Sequence, residues 1–347
     1  MQLRSNVLVS TLAEELDRAV PGLLARYHVP GLSIVIIQNN ALALTRGYGV
    51  RSQSGADPIT VETVFEGASF SKPIFAAAVL QLWEQGALDL ERPLAEYLPE
   101  PDRPEDPAIR QITARMVLSH TTGLPNWRRE GGRLRTLRPP GTTLTYSGEG
   151  FVYLQQVVVH LTGESLDPHV RRTVLAPLGM SATSYLWRDS YDAIAAQPHQ
   201  ADGSPRSRYE SPDPNAAASV HTTPRDLAYL LQAILATTSG KPTILRPETV
   251  AEMLRPQARL ARHPSVAWGL GWGLQHTAAG DSFWHSGDNP GFKNFAIGYP
   301  AEQFGVVIMT NGDNGTAVYK RLLRTLIGGT YPAFAIMRSL SLRDHDP

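Results

Sequence analysis

The sequence predicts an α+β fold, an α/β sandwich in which both ends of the chain supply one antiparallel sheet flanked by helices. A mostly helical subdomain is inserted between the two ends. Three observations carry this reading. Strand-like runs form a hairpin near residues 31–50 and return as a meander from Trp268 to about residue 311. After Gly86 the pattern changes to helices and loops. The segment from Ile74 to Trp83 is apolar around its whole circumference, and a helix without a polar face belongs in the middle of a protein. Terminal strands sharing one sheet, with the helical middle inserted, is the economical arrangement of these parts. It assigns 1–75 and 250–330 to the sheet region, 76–249 to the helical region and 331–347 to a C-terminal tail, all within one unit.

Each element has a local cause. Thr11-Leu-Ala-Glu14 reads as a capping box opening a helix with Leu12, Leu16 and Val20 inward, interrupted at Pro21. Gly31–Gln38 reads as a strand, Asn39-Asn40 as a tight turn and 41–50 as the returning partner. Residues 60–66 are a short extended run leading to Ser69. The central helix begins with Pro73 in its first turn, where the N–H that proline lacks has no partner to lose, and it ends at Gly86. Residues 100–107 form a charged, proline-rich surface loop. Residues 113–119 make a short helix, 139–145 a loop delivering Tyr146, and 151–161 a helix by apolar spacing. The long polar stretch 200–217 has the character of a lid or a wall of a site. Helices follow from Thr223 to about Leu235 and over 247–254. Strands are expected at 268–275, 281–285, 292–299 and 304–311, then a last helix at about 315–327.

Composition narrows the function classes. Of 347 residues, 42% are apolar and 18% charged, as in a soluble globular protein, with 32 basic against 32 acidic side chains and no basic run. That balance argues against unspecific binding to nucleic acid or an anionic membrane. With no cysteine, disulfides and thiolate metal sites are excluded. No apolar stretch approaches a membrane span, so as written the chain reads as cytoplasmic, with export of a longer precursor left open. His120, His160, His199, His221 and His285 are scattered, with no His-Glu-x-x-His spacing. No metal and no cofactor is expected.

The chemistry starts at the mouth of the central helix. Ser69 and Lys72, three residues apart, project from neighbouring positions on one face. A serine hydroxyl is a weak nucleophile until a base takes its proton, and a lysine serves as that base only when burial or a helix N-terminus lowers its pKa. The alternative is a helix-capping serine and a lysine that snorkels to water. Chance alone supplies about 0.3 Ser-x-x-Lys pairs in a chain with four lysines and 23 serines, so placement matters more than occurrence. Tyr146 sits where a loop turns into a helix, and as a phenolate beside Lys72 it would share proton transfer, unless it is an ordinary half-buried aromatic. His285-Ser286-Gly287-Asp288 lies at the end of a strand, where Gly287 lets a substrate approach and the next N–H can serve an oxyanion. A lone histidine there is otherwise a surface or hydrogen-bonded residue.

In order, Ser69-x-x-Lys72, Tyr146-Ser147-Gly148 and His285-Ser286-Gly287 resemble the motifs of the penicillin-recognising serine hydrolases, in the branch of class C β-lactamases, DD-peptidases and esterases. His120-Thr-Thr-Gly-Leu-Pro125 and Trp268-Gly-Leu-Gly-Trp272 are similar to peptides of that branch, and the resemblance runs from about residue 10 to 328. It implies a β-lactamase/transpeptidase-like fold with the site between sheet and helical region. It also implies Ser69 as acylated nucleophile, Lys72 and Tyr146 as the proton-shuttling pair, and the N–H groups of Ser69 and Asp288 as oxyanion donors. His285 would replace a lysine as the cation for a substrate carboxylate, and Gly148 stands where the β-lactamases carry an asparagine that contacts the substrate amide. Both departures argue against an efficient β-lactamase. The expected function is hydrolysis of small-molecule esters or amides through an acyl-Ser69 intermediate, carboxylesterase-like. A weak β-lactamase or D-amino-acid peptidase is the alternative, and a non-catalytic penicillin-binding-like sensor or scaffold the alternative of another class.

Overall fold

Pro21 does not stop the first helix. In the computed structural model, which describes residues 2–98, 106–129, 131–208 and 211–337, α1 spans Val9–Tyr27 with Pro21 inside it. It opens without a side-chain cap, so the Thr11 capping box is not formed. The reason is which face proline falls on. Pro21 and Asp17, whose carbonyl loses a partner, are exposed and water can serve them, while Leu12, Leu16, Val20 and Leu24 are buried and hold both halves down.

The hairpin follows as β1 Gly31–Gln38 and β2 Ala41–Gly49, turned by Asn39 and Asn40, both at positive φ. Within the run expected at 60–66, residues 61–62 form a turn and the extended part begins at Val64, the strand itself being β3 Phe65–Ala68. Next come α2 Ser71–Glu84, α3 Ala114–Leu118, α4 Gly148–Thr162 and α5 Leu166–Val170. The short strand β4 Val220–Thr222 pairs with β3, ahead of α6 Pro224–Thr238 and α7 Pro247–Met253. The meander is β5 Ala258–Leu260, β6 His263–Trp268, β7 Gly273–Thr277, β8 Gly280–Asn289, β9 Phe292–Tyr299 and β10 Phe304–Thr310. α8 Gly315–Leu322 and α9 Ala333–Ile336 close the described chain.

The strand expected at 268–275 is instead two strands with a turn between them. Gly271, at φ +86°, reverses the backbone, and the Gly269 N–H donates to the Trp272 carbonyl. The turn is pinned from outside, because Leu270 and Gly271 donate to the carbonyls of Met253 and Leu118. Of the surface loop expected at 100–107, residues 100–105 lie outside the described residues, as do 338–347 of the tail. The nearer part of the tail is packed, with Phe334 against Phe295 and Tyr331.

The eight-stranded antiparallel sheet has the order β2-β1-β10-β9-β8-β7-β6-β5, and Leu32↔Thr310 to Ile37↔Gly305 join the first strands to the last. β1 reads as a continuous apolar run because both its faces are covered. Leu32, Ile34 and Ile36 pack with α1 and α8, whereas Val35 and Ile37 share a core with α2 and α6. Helix α2 is the centre of that second core. Burial of Ile74, Phe75, Val79, Leu80 and Leu82 contributes on the order of 1.5–3 kcal/mol each, and this anchors the helix whose N-terminus carries the site.

Candidate active site

Ser69 lies in the turn from β3 into α2, after Ala68, which is held at φ 52°. A non-glycine residue in that region is uncommon and is kept there by its surroundings. The Ala68 carbonyl accepts from Ser71 Oγ at 2.7 Å, the Ser71 oxygen accepts from the Val220 N–H at 2.9 Å, and the Ser71 carbonyl accepts from the Tyr185 hydroxyl at 2.6 Å. Ser71 is therefore a strut that ties the nucleophile turn to β4 and to the helical region. Its role has no signature in the sequence beyond its proximity to Ser69.

Lys72 is 1% exposed. Its Nζ reaches Ser69 Oγ at 3.1 Å and donates to the Ala217 carbonyl at 2.7 Å. Tyr146 and Phe151 flank it, with ring centres 4.7 and 5.6 Å from Nζ. Among the described residues no carboxylate pairs with it, and burial pulls its pKa down to about 7. The snorkelling alternative is excluded by this burial. The long polar loop expected at 200–217 delivers the Ala217 carbonyl at its end.

Tyr146 shares a hydrogen bond with Ser69, which favours ionisation, but burial dominates and drives its pKa well upward. This corrects the phenolate expectation: at neutral pH the phenol keeps its proton, and Lys72 is the group that loses one. Tyr146 is braced by His120, whose ring stacks on it at 4.2 Å. The His120 carbonyl accepts from the Thr145 N–H at 2.7 Å, and its Nδ1 accepts from the Ser147 N–H at 3.1 Å. His120 thus grips the peptide on both sides of Tyr146. Its acceptor Nδ1 places the ring proton on Nε2, and burial, with Lys72 and His285 nearby, holds it neutral. The histidine of the His120–Pro125 peptide is the one trace of this bracket in the sequence.

His285 comes close, but not as a cation. It is 1% exposed, its Nδ1 bonds the Ser286 carbonyl at 2.9 Å, and its ring lies among Phe70, Tyr146, Trp268 and Trp272. Burial, reinforced by Lys72, lowers its pKa to about 3. The expectation of a pH-dependent cation for a substrate carboxylate is therefore corrected, because a desolvated imidazole among aromatic rings stays neutral. The strand itself is placed as expected. Gly287 lies against the backbone of Gly67, Asn294 Nδ2 donates to the Glu66 carbonyl at 2.8 Å, and Asn289 Nδ2 to Glu66 Oε2 at 2.9 Å. These contacts fix β8 beside the segment that ends in Ser69. Ser286 is partly buried, and the Asp288 side chain points out to Lys293 at 2.7 Å.

A cavity of about 820 Å³ is walled by Glu66 of β3, Val220 of β4 and Asn289 of β8, the strands that flank this group, and by Arg206 and Ser219; the side chains of Ser69, Lys72, Tyr146 and His285 are not among its walls. The polar loop supplies Gln200, Arg206 and Asn215 to it, so the expectation of a site wall there agrees with the geometry.

Comparison with known proteins shows the fold and the family. Penicillin-binding protein 4 of Amycolatopsis lactamdurans is 24% identical over 342 residues, covering 87% of this chain and 86% of that protein. Among solved structures, the octameric penicillin-binding protein homologue from Pyrococcus abyssi superposes with a TM-score of 0.78 at 20% identity, covering 94% of this chain and 80% of its own. The D-alanine carboxypeptidase AmpC from Burkholderia cenocepacia gives 0.77 at 21%, covering 91% and 99%. The family model described as Beta-lactamase matches residues 16–328, nearly the whole described sheet and helical region. The chain therefore belongs to the β-lactamase family of serine hydrolases.

Proposed function

We propose that the protein cleaves esters or amides of small molecules through an acyl-Ser69 intermediate, with carboxylesterase-like preference. The observation that carries this reading is Lys72, an amine sealed from water 3.1 Å from Ser69 Oγ and paired with no carboxylate among the described residues. One N–H is spent on the Ala217 carbonyl, and the lone pair of the neutral amine is available to the serine proton. As Oγ attacks the substrate carbonyl, Lys72 takes that proton, and the N–H groups of Ser69 and Asp288 receive the negative oxygen. The Tyr146 phenol, bonded to Ser69, passes a proton to the departing alkoxide or amine and recovers one from Lys72. A water molecule repeats the sequence on the acyl-serine. His285 supplies no charge, and its rings and those around it keep water away from the amine.

Intact-mass measurement with a fluorophosphonate and with a p-nitrophenyl ester tests the nucleophile: the wild type gains one acyl or phosphonyl mass and Ser69→Ala gains none. Equal labelling of the variant removes the reading. The pH profile follows from the neutral amine. With Lys72 near 7, kcat/KM for an activated ester should rise about tenfold per pH unit below 7 and level off above it. Tyr146, kept protonated by burial, adds no falling limb up to about pH 10. A profile flat from pH 5 to 9, with chemistry limiting, contradicts the lysine base.

A second reading, a weak β-lactamase or D-amino-acid/DD-peptidase, is favoured by the likeness to a penicillin-binding protein and to a D-alanine carboxypeptidase. The same panel separates the two. Higher kcat/KM on a D-Ala-D-Ala peptide than on any short ester selects the peptidase.

A further inference from the structure

Gly148 is the second residue after Tyr146, and the space beside it is already taken. A Cβ built there would stand 2.9 Å from the Trp127 ring and 2.9 Å from the Asn126 carbonyl oxygen, too close for any side chain. The indole therefore occupies the space, two residues along the chain from Tyr146, that a larger residue at 148 would fill. Trp127 also lines the 820 Å³ cavity, yet it is 43% exposed, one of three large hydrophobic residues so exposed among the described residues.

An exposed tryptophan is usually mobile, but this one is latched from both sides. The Asn126 carbonyl accepts from the Gly148 and Glu149 N–H groups at 3.0 and 3.1 Å, and Asn126 Oδ1 from Gly148 at 3.0 Å. On the other side, Arg128 donates its N–H to Glu149 Oε1 at 3.0 Å, and its Nε and Nη2 to Oε2 at 3.0 and 2.7 Å. Glu149 is buried in the first turn of α4, where the helix N-terminus favours its charge. Six hydrogen bonds and a glycine seat hold the backbone on both sides of the indole, beside a cavity whose walls include the polar side chains of Glu66, Arg206 and Gln200. A pre-ordered aromatic face with water on one side loses little entropy when a flat apolar group covers it.

We infer that Trp127 is the specificity-determining platform of the site, and that it selects substrates carrying a planar apolar group next to the scissile carbonyl. The inference rests on the acyl-serine reading for the carbonyl, but the platform can be tested without turnover. In Ser69→Ala protein, ligand-observed NMR gives dissociation constants for methyl acetate, methyl phenylacetate and benzyl acetate, the last two presenting a ring on either side of the carbonyl. The ring-bearing ester that faces the indole should bind at least tenfold more tightly than methyl acetate. Adding Trp127→Ala should remove that advantage while changing methyl acetate by less than twofold, and Trp127→Phe should keep most of it. Trp127→Leu provides the same comparison should the alanine variant fail to fold. No preference for a ring, or an equal loss for all three esters, overturns the proposal. Ring-selective binding in a protein whose wild type cleaves no ester would support the platform while removing the esterase reading.

Discussion

Lys72→Met is expected to abolish acylation of Ser69 and to leave the fold more stable than the wild type at neutral pH. Without the amine no effective base is left beside Ser69, since the Tyr146 phenol keeps its own proton and the lowered pKa values of His120 and His285 make their imidazoles poor proton acceptors. A fall of about 10³-fold or more in kcat/KM is expected from loss of the general base. Stability moves the other way, and linkage gives the sign. The folded pKa is about 7 and the unfolded value 10.5. Between those pH values the unfolded chain holds a proton that the folded chain does not, so stability rises with pH across that window. The penalty is complete below pH 7, amounts to at most about 5 kcal/mol, and vanishes above 10.5. Methionine fills nearly the same volume among Tyr146 and Phe151 and carries no such penalty. Denaturant unfolding of both proteins at pH 6.5, 8 and 9.5 should show the variant ahead by several kcal/mol at the lowest pH and the gap narrowing as pH rises. A variant no more stable at pH 6.5 would mean that the amine is not desolvated as described.

Gly287→Ala is expected to cost both activity and stability, by a route that touches no reacting side chain. The added methyl would overlap the Gly67 carbonyl oxygen and stand 3.1 Å from Asn294 Nδ2. A backbone carbonyl cannot rotate away, so β3 must separate from β8. β3 carries Ala68 and Ser69, and β8 continues to Asp288, so the two proposed oxyanion donors would part. A displacement of that kind should lower the acylation rate by about 10²–10³-fold, the usual effect of losing one donor. Overpacking should remove about 1–3 kcal/mol of stability. Gly22→Ala in α1, where the new methyl meets nothing within 4 Å, is the control and should be neutral or slightly stabilising. Stopped-flow acylation and thermal unfolding of both variants check this. Unchanged acylation in Gly287→Ala would show that the strand edge is not part of the oxyanion site.

The order of elements was legible because it rests on neighbours a few residues apart. An apolar run closed by turn residues delimits β1 and β2, the all-apolar run delimits α2, and Ser69 and Lys72 meet because three residues at a helix entrance share a face. Where local signs failed, a distant contact had overruled them. α1 runs through Pro21 because the core grips both halves, and the turn at 269–272 exists because Met253 and Leu118 accept its N–H groups.

Protonation in the site belongs entirely to tertiary structure. Lys72 is a base because the Ala217 carbonyl, 145 residues away, and a shell of rings seal it from water. His285 is silent for the same reason, although a histidine after a strand reads equally well as an exposed cation. Trp127 over Gly148 joins two residues with no pattern between them. Sequence alone determined which groups are present and which share a helix face, since backbone preference and periodicity are short-range. Only the folded chain decided which groups are dry, neutral and in reach, since desolvation depends on everything packed around a group and not on its neighbours in the chain.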